Sequence, residues 1–369
     1  MRIGIVCYPT IGGSGVVATE MAQVLALRGH DVHLLSYDRP SRMRRGISGL
    51  RFHPVQVSAY PLFRYPPYDL ALATRMLEVQ EEANIDVFHV HYAIPHAVSA
   101  FLARSMSGSR FRFITTLHGT DITVAGSDRG YMRPTRFAIE QSDAVTAVSQ
   151  YLADETKLVF GVQKPIHVIP NFVDTERFKP GAKKRWPDRE GNERVLVHAS
   201  NFRPVKRAAD VVRAFALIQK QIPAKLLLAG DGPDREHALA VAADLGCSNK
   251  VEWLGPRENI EEVLQDCDLF LSASETESFG LSILESMSCG VPAVATRVGG
   301  VEEVLGDTGA LTPFSDPAAM AKAALHILTD EESYKSQCQR ARARAMELFQ
   351  ADAVIDLYES LYRDVVARG

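Results

Sequence analysis

Two patterns alternate along the whole chain. Short apolar runs end at glycine, proline or polar residues, and between them lie longer segments whose apolar positions recur at helical spacing. In the first half, residues 3–7, 31–37, 52–57, 86–91, 111–117, 144–148 and 166–169 read as strands. Residues 16–28, 70–83, 93–105, 133–141 and 150–159 read as helices. The pattern then restarts. Strands are predicted at 195–199, 225–229, 251–254, 269–271 and 293–295, with helices at 207–220, 234–245, 260–266, 281–288 and 301–305. From Asp316 onward the pattern is helical throughout. Strand–helix–strand alternation implies parallel sheets covered by helices. Residues 174–194 are polar and carry Pro180, Gly181, Pro187 and Gly191, which makes them the candidate linker. At 369 residues the chain exceeds one ordinary core. The expectation is an α/β protein of two Rossmann-like halves of similar size, with a cleft between them and no residue-level repeat.

Composition narrows the function classes. Hydrophobic residues make up 46% and charged residues 23%, as in an ordinary soluble enzyme. A formal net charge of -4 gives no reason to expect nucleic acid as a partner. The basic clusters at 39–45 and 183–185 read as solvated loops. No run approaches the roughly 18 apolar residues of a membrane span. The chain enters a strand pattern directly at Arg2-Ile3-Gly4-Ile5, without a signal-peptide pattern. Cys7, Cys247, Cys267, Cys289 and Cys338 have no CxxC spacing, so reduced thiols and a cytoplasmic location are expected.

The candidate chemistry gathers where strands end. The stretch from Ser274 to Glu285 follows the apolar run Leu269-Phe270-Leu271 and precedes Cys289-Gly290-Val291-Pro292. It reads as a buried strand, a tight loop and a short helix. A helix start holds free N–H groups and favours an anion, typically phosphate. Glu277 in the loop and Glu285 on the second helical turn make sense there if the ligand also carries hydroxyls, as a nucleotide sugar does. After the strand at 195–199 come Arg203, Lys206 and Arg207. Cations at a helix N-terminus oppose its dipole, and that local cost argues for a role such as stabilising a departing diphosphate. Gly230-Asp231-Gly232-Pro233 and the Gly255-Pro256-Arg257 turn lie at the same sheet edge and could wall a nucleotide pocket.

In the first half, Gly12-Gly13-Ser14-Gly15 occupies the ligand edge of the first strand. Gly13-x-Gly15-x-x-Ala18, with Asp38 further on, fits a dinucleotide fingerprint, but four residues separate Cys7 from Gly12. Contact with another ligand and a purely structural turn remain as alternatives. His89 and His91 point the same way from a strand, with His96 and His118 nearby in the pattern. They could hold a metal, but no acid or cysteine completes a set at recognisable spacing. His89 otherwise reads as a packed core residue. His118, followed by Gly119-Thr120-Asp121, ends a strand at the ligand edge and reads as part of the cleft.

Together these motifs resemble the retaining glycosyltransferases of family four, which have the GT-B fold. The resemblance rests on Glu277 and Glu285 as an E-x7-E pair, on Lys206, on Gly230 to Pro233, on Ser274 to Leu281, on Glu285 to Pro292 and on Val298-Gly299-Gly300. It runs essentially from Met1 to the C-terminal helix. Gly12 to Glu20, His89 to Ala97, Thr116 to Thr123 and Asn201 to Arg207 are further similar to the branch of that family that glycosylates L-malate at the first step of bacillithiol biosynthesis. The resemblance implies an N-terminal acceptor domain at 1–172, a donor domain at 173–349 and a helix at about 350–369 that packs back on the first. It implies UDP-N-acetylglucosamine and L-malate as substrates, no metal and no cofactor.

By residue, the resemblance implies that Glu285 binds ribose hydroxyls. Glu277, with the backbone of Ser278, Phe279, Gly280 and Leu281, holds the donor sugar and diphosphate. Lys206, with Arg203, neutralises the β-phosphate. Gly15, Asn201, Asp231, Gly232 and Arg257 complete the donor contacts. Ser14, Tyr92 and Thr116 lie near the acceptor and His118 near the donor sugar. Many family members have Gly-Arg where this chain has Ser200-Asn201, which leaves Arg203 as the candidate to replace that arginine from a shifted position. Other readings are an acceptor such as an inositol phosphate, a lipid or a polysaccharide, an NAD-linked oxidoreductase, and a nucleotide-sugar sensor. The oligomeric state is open, a homo-oligomer included.

Overall fold

The computed structural model describes residues 1–10, 12–57, 62, 64–108, 111–181 and 193–368, with side chains left out at 124–127. The basic cluster 183–185 and most of the candidate linker (Pro187 and Gly191 included) lie outside the described residues.

The chain divides into two units, Met1–Asn171 with Ala351–Gly369, and Phe172–Gln350. Each is built on one sheet. In the first unit the strands are β1 Arg2–Val6, β2 Asp31–Ser36, β3 Leu50–Pro54, β4 Val87–His91, β5 Arg112–Leu117, β6 Ala144–Ala147 and β7 Ile166–Val168. Their order across the sheet is β3-β2-β1-β4-β5-β6-β7, all parallel. In the second unit they are β8 Arg194–Ala199, β9 Ala224–Ala229, β10 Val251–Gly255, β11 Leu269–Ser272, β12 Ala293–Thr296 and β13 Gly309–Thr312. Their order is β10-β9-β8-β11-β12-β13, again parallel. Both units are Rossmann-like, and together they are the α/β architecture expected from the pattern.

Helices on both faces explain why the central strands read as unbroken apolar runs. β4 is buried at every position, its histidines included. The strand order reverses once in each sheet, between β1 and β4 in the first and between β8 and β11 in the second. Ligands of open α/β sheets bind at the carboxyl ends of the strands at such a reversal.

The C-terminal helix Ala351–Ala367 belongs to the first unit because of its apolar stripe. Val354, Ile355, Tyr358, Leu361, Tyr362 and Val365 recur at helical spacing and are all buried. Tyr362 meets the Nδ1 of His89 at 2.7 Å. Arg28 adds ion pairs to Asp352 and Asp356 at 2.9 and 2.7 Å, but both acids are largely exposed. Pairs of that kind contribute at most about 1 kcal/mol, so the buried stripe does the docking.

Three elements differ from expectation. The helix expected at 93–105 begins as a π-type turn over Ala93–Ala97, and the α-helix proper is Val98–Met106. Ile94 precedes Pro95, whose ring steers the preceding residue away from helical dihedrals, and Ile94 is extended. A helix at Thr120–Ser127 and the strand β13 were not anticipated. None of the five cysteines forms a disulfide.

Candidate active site

In the second unit, the turns after β8 and β11 flank the strand reversal. Glu275 N–H donates to Val205 O at 2.8 Å, which ties the two turns together. The tie brings Lys206 Nζ to 2.5 Å from Glu277 Oε2. These residues are 71 apart in sequence, and both are about one-fifth exposed. One cation and one carboxylate thus meet at the point where the topology places ligands. The Glu277 loop is held from the other side as well. Gly300 N–H donates to Glu277 O at 2.9 Å, and Thr296 Oγ1 donates to Ser274 O at 2.5 Å.

Next to this pair the helix Leu281–Ser288 starts without a side-chain cap. Its N-cap is Gly280 at φ 100°, a left-handed conformation that glycine adopts at no steric cost. The glycine serves the helix start itself. Glu285 sits on the second turn and is 6% exposed. Phe279 is buried and packs on Phe349 at 5.7 Å between ring centroids, so its ring is committed to the core.

The β8, β9 and β10 edges are stitched together by backbone. Ser200 N–H donates to Ala229 O, Gly230 N–H to Gly255 O and Asp234 N–H to Phe202 O, at 3.1, 2.9 and 2.8 Å. A Cβ on Gly232 would lie 2.0 Å from Asn201 O. Its bare face therefore admits the neighbouring turn rather than a ligand. Asn201, Asp231 and Arg257 are exposed on this edge. The three cations after β8 separate in role. Arg207 is taken up by Asp210 at 2.5 Å and lies over the Phe314 ring. Asp210 in the first helical turn also offsets the dipole conflict that argued for function, so that argument holds for Arg203 and Lys206 alone. Arg203 is exposed.

In the first unit, the turns after β1 and β4 meet at the other strand reversal. Ser14 Oγ donates to Tyr92 Oη at 2.7 Å. Tyr92 has φ 90°, a conformation rare outside glycine. Strained residues held this way concentrate at functional sites. Tyr92 also lies 5.4 Å from the His118 ring. Asp121 locks the turns after β4 and β5 together. It accepts from Ala93 N–H at 3.1 Å, and from His118 and Gly119 N–H at 3.2 and 3.0 Å.

Two expected residues sit differently. Thr116 is 1% exposed, and its hydroxyl is shared with His89 Nε2 and Thr146 Oγ1, each at 2.6 Å. Its carbonyl accepts Tyr92 N–H at 2.9 Å, so it shapes the Tyr92 turn from the core. A Cβ on Gly15 would lie 2.4 Å from Tyr8 O, so the chain's own turn after β1 requires the glycine. β1 ends at Val6 and the helix starts only at Ser14. The long approach departs from a dinucleotide turn. Among the described residues no three His, Cys, Asp or Glu side chains are placed to hold a metal.

Burial sets the titration of buried histidines in both units. It pushes His89 down to about 3 and His96 and His198 to about 4, and His53 also falls to about 4. Each folded value lies below the unfolded value of about 6.5. The unfolded chain therefore binds more protons between those limits, and stability present above pH 6.5 is lost as the pH falls toward 4. Asp121, raised by burial to about 6, acts in the opposite direction. Among the described residues seven histidines are lowered, His33, His91 and His118 among them, against two acids raised by burial, Asp69 and Asp121. The thermal midpoint should drop steadily between pH 7 and pH 4.5 in a buffer series. A flat or rising midpoint would refute the neutral-histidine assignment.

Comparison with known proteins matches both units. Residues 11–177 match the family described as Glycosyltransferase Family 4, and residues 182–344 match Glycosyl transferases group 1. The chain is 47% identical to the N-acetyl-alpha-D-glucosaminyl L-malate synthase of Bacillus anthracis, over 99% of this chain and 97% of that protein. It is 28% identical to the D-inositol 3-phosphate glycosyltransferase of Acidothermus cellulolyticus, over 96% and 86% of the two chains. In fold it is similar to the sucrose-phosphate synthase of Thermosynechococcus elongatus, with a TM-score of 0.84 at 20% identity and full coverage of both chains. The chain belongs to the family 4 glycosyltransferases, with the GT-B fold.

Proposed function

We propose that this glycosyltransferase moves N-acetylglucosamine from its UDP donor to the hydroxyl of L-malate, with retention at the anomeric carbon. The observation that carries the reading is the 47% identity to a protein of that name over 99% of this chain. The Ser14–Tyr92 pair beside His118 supports it, because that pair presents hydroxyls rather than an apolar wall. The acceptor is a dicarboxylate. The helix Arg129–Gln141 exposes Arg129, Arg133 and Arg136, none of them ion-paired among the described residues.

On this reading the malate hydroxyl attacks the anomeric carbon from the face that UDP leaves. The bond to the β-phosphate oxygen breaks as the new glycosidic bond forms, and the departing phosphate takes the hydroxyl proton. The protein then supplies positioning and charge. Lys206 and Arg203 stabilise the diphosphate, the uncapped start of the helix Leu281–Ser288 adds backbone N–H groups, and Glu285 holds the ribose. Glu277 orients the sugar and fixes Lys206.

One assay tests the reading. UDP release is followed with UDP-N-acetylglucosamine and a panel of L-malate, inositol 1-phosphate, glycerol and simple sugars, in buffer and in EDTA. L-Malate should be preferred by at least about 10-fold, a difference of about 1.4 kcal/mol. The EDTA rate should match the rate in buffer, because the two cations carry the charge. No malate preference would remove the acceptor assignment. An EDTA-sensitive rate would remove the metal-free mechanism.

A further inference from the structure

His91 has no role in the scheme above, yet it is fully buried at the carboxyl end of β4 beside the strand reversal. Its ring lies between those of His89 and His118, with centroids 4.5 and 5.0 Å away and interplanar angles of 24° and 22°. Its Nδ1 lies 2.8 Å from His118 Nε2. Its Nε2 is buried and has no hydrogen-bond partner among the described residues. Its carbonyl accepts from His96 Nδ1, which fixes the neighbouring turn against it.

The geometry points to His91 as the positioning residue that sets both the orientation and the tautomer of His118. The inference rests on the reading that His118 serves the donor sugar. One nitrogen of the 2.8 Å contact must carry the proton, because burial keeps both rings neutral. If His118 Nε2 donated, His91 Nδ1 would be the acceptor and the neutral His91 would carry its proton on Nε2. That would bury an N–H with nothing to accept it, and the lost hydration of that donor would go uncompensated. If His91 Nδ1 donates, only a lone pair is left unpartnered at Nε2, and unpaired buried acceptors are tolerated better than unpaired donors. The second arrangement makes His118 an Nδ1–H tautomer. Its Nδ1, which has no protein partner among the described residues, then presents a hydrogen-bond donor. A sugar hydroxyl or phosphate oxygen is an acceptor that such a donor fits. Second-sphere partners of histidine fix ring tautomers in this way at metal sites too.

Nitrogen-15 NMR of histidine-labelled wild-type protein, with His118 assigned by loss of its signals in His118→Asn, should find the His118 proton on Nδ1. Finding it on Nε2 overturns the proposal, and the measurement needs no substrate. Two variants extend the test. His91→Phe removes the donor while keeping a flat ring; it should mix the two His118 tautomers and lower kcat about 10–100-fold with KM for L-malate unchanged. His91→Asn keeps an N–H near the Nδ1 position and should restore the wild-type His118 spectrum and most of the rate. Unchanged His118 signals and unchanged kcat in His91→Phe would refute the role. If that variant does not fold, the wild-type spectrum and His91→Asn decide. Failure of L-malate as acceptor would leave the spectra as they are, so the two readings fail separately.

Discussion

Replacing Lys206 by alanine should lower kcat about 100–1,000-fold, the loss seen when one preorganised donor to a developing oxyanion is removed. The ammonium meets Glu277 at 2.5 Å where the strand order reverses, so it is held before any phosphate charge develops. Preorganisation is what makes such a group effective, because no reorientation is needed during the reaction. Some stability should be lost as well, because the pair is only about one-fifth exposed on each side and the substitution leaves the Glu277 carboxylate part-buried without its cation. Lys206→Arg keeps the charge but spreads it over a planar fork, and should recover only part of the rate. The check is kcat and KM for UDP-N-acetylglucosamine beside thermal melts of all three proteins. A near-normal kcat in a folded Lys206→Ala protein would sink the diphosphate role.

Strands were the most legible part of the chain. Parallel strands buried on both faces are apolar runs, and β1, β4, β8, β11 and β12 all showed as such. β13 was missed because Gly309-Ala310-Leu311-Thr312 is short and weakly apolar and sits at a sheet edge. The helix Thr120–Ser127 was missed because glycine and polar residues dilute its pattern. At the site, the sequence marked both turns of each reversal, since glycines, histidines and cations break the apolar runs there. It could not show which side chains meet. Lys206 and Glu277 are joined by the Glu275–Val205 hydrogen bond, a contact between distant segments with no local signature. The family resemblance placed Thr116 near the acceptor. Only the folded packing of His89 and Thr146 reveals that its hydroxyl is already used. The same applies to His91, whose alternation with His89 suggested a metal pair. Its partner is instead His118, one crossover later.

Glycines misled in a specific way, and the correction carries the second large prediction. Glycine near a strand end suggests room for a ligand, but several here make room for the protein's own backbone. Gly299 has φ 55°, and a Cβ there would lie 1.8 Å from Glu277 O and 2.9 Å from Glu277 C. Backbone cannot yield as a flexible side chain does. Gly299→Ala must therefore displace the Glu277 peptide, break the Gly300–Glu277 hydrogen bond, or both. Glu277 holds Lys206, so on the proposed mechanism the displacement reaches the cation that serves the diphosphate. A shift of about 1 Å at a catalytic centre can lower the rate about 100-fold. Gly246 provides the control in the same unit. It has φ 69°, and a Cβ there would meet nothing within 4 Å. Gly246→Ala pays only the left-handed backbone penalty, about 1–2 kcal/mol, and should keep wild-type kcat. Gly299→Ala should lose more stability than that and should lose kcat about 100-fold as well. Chemical denaturation and steady-state kinetics on both variants separate strain from displacement. Equal kcat in the two proteins would mean that the Glu277 loop absorbs the clash without moving its carboxylate, and would remove the link between Gly299 and the rate.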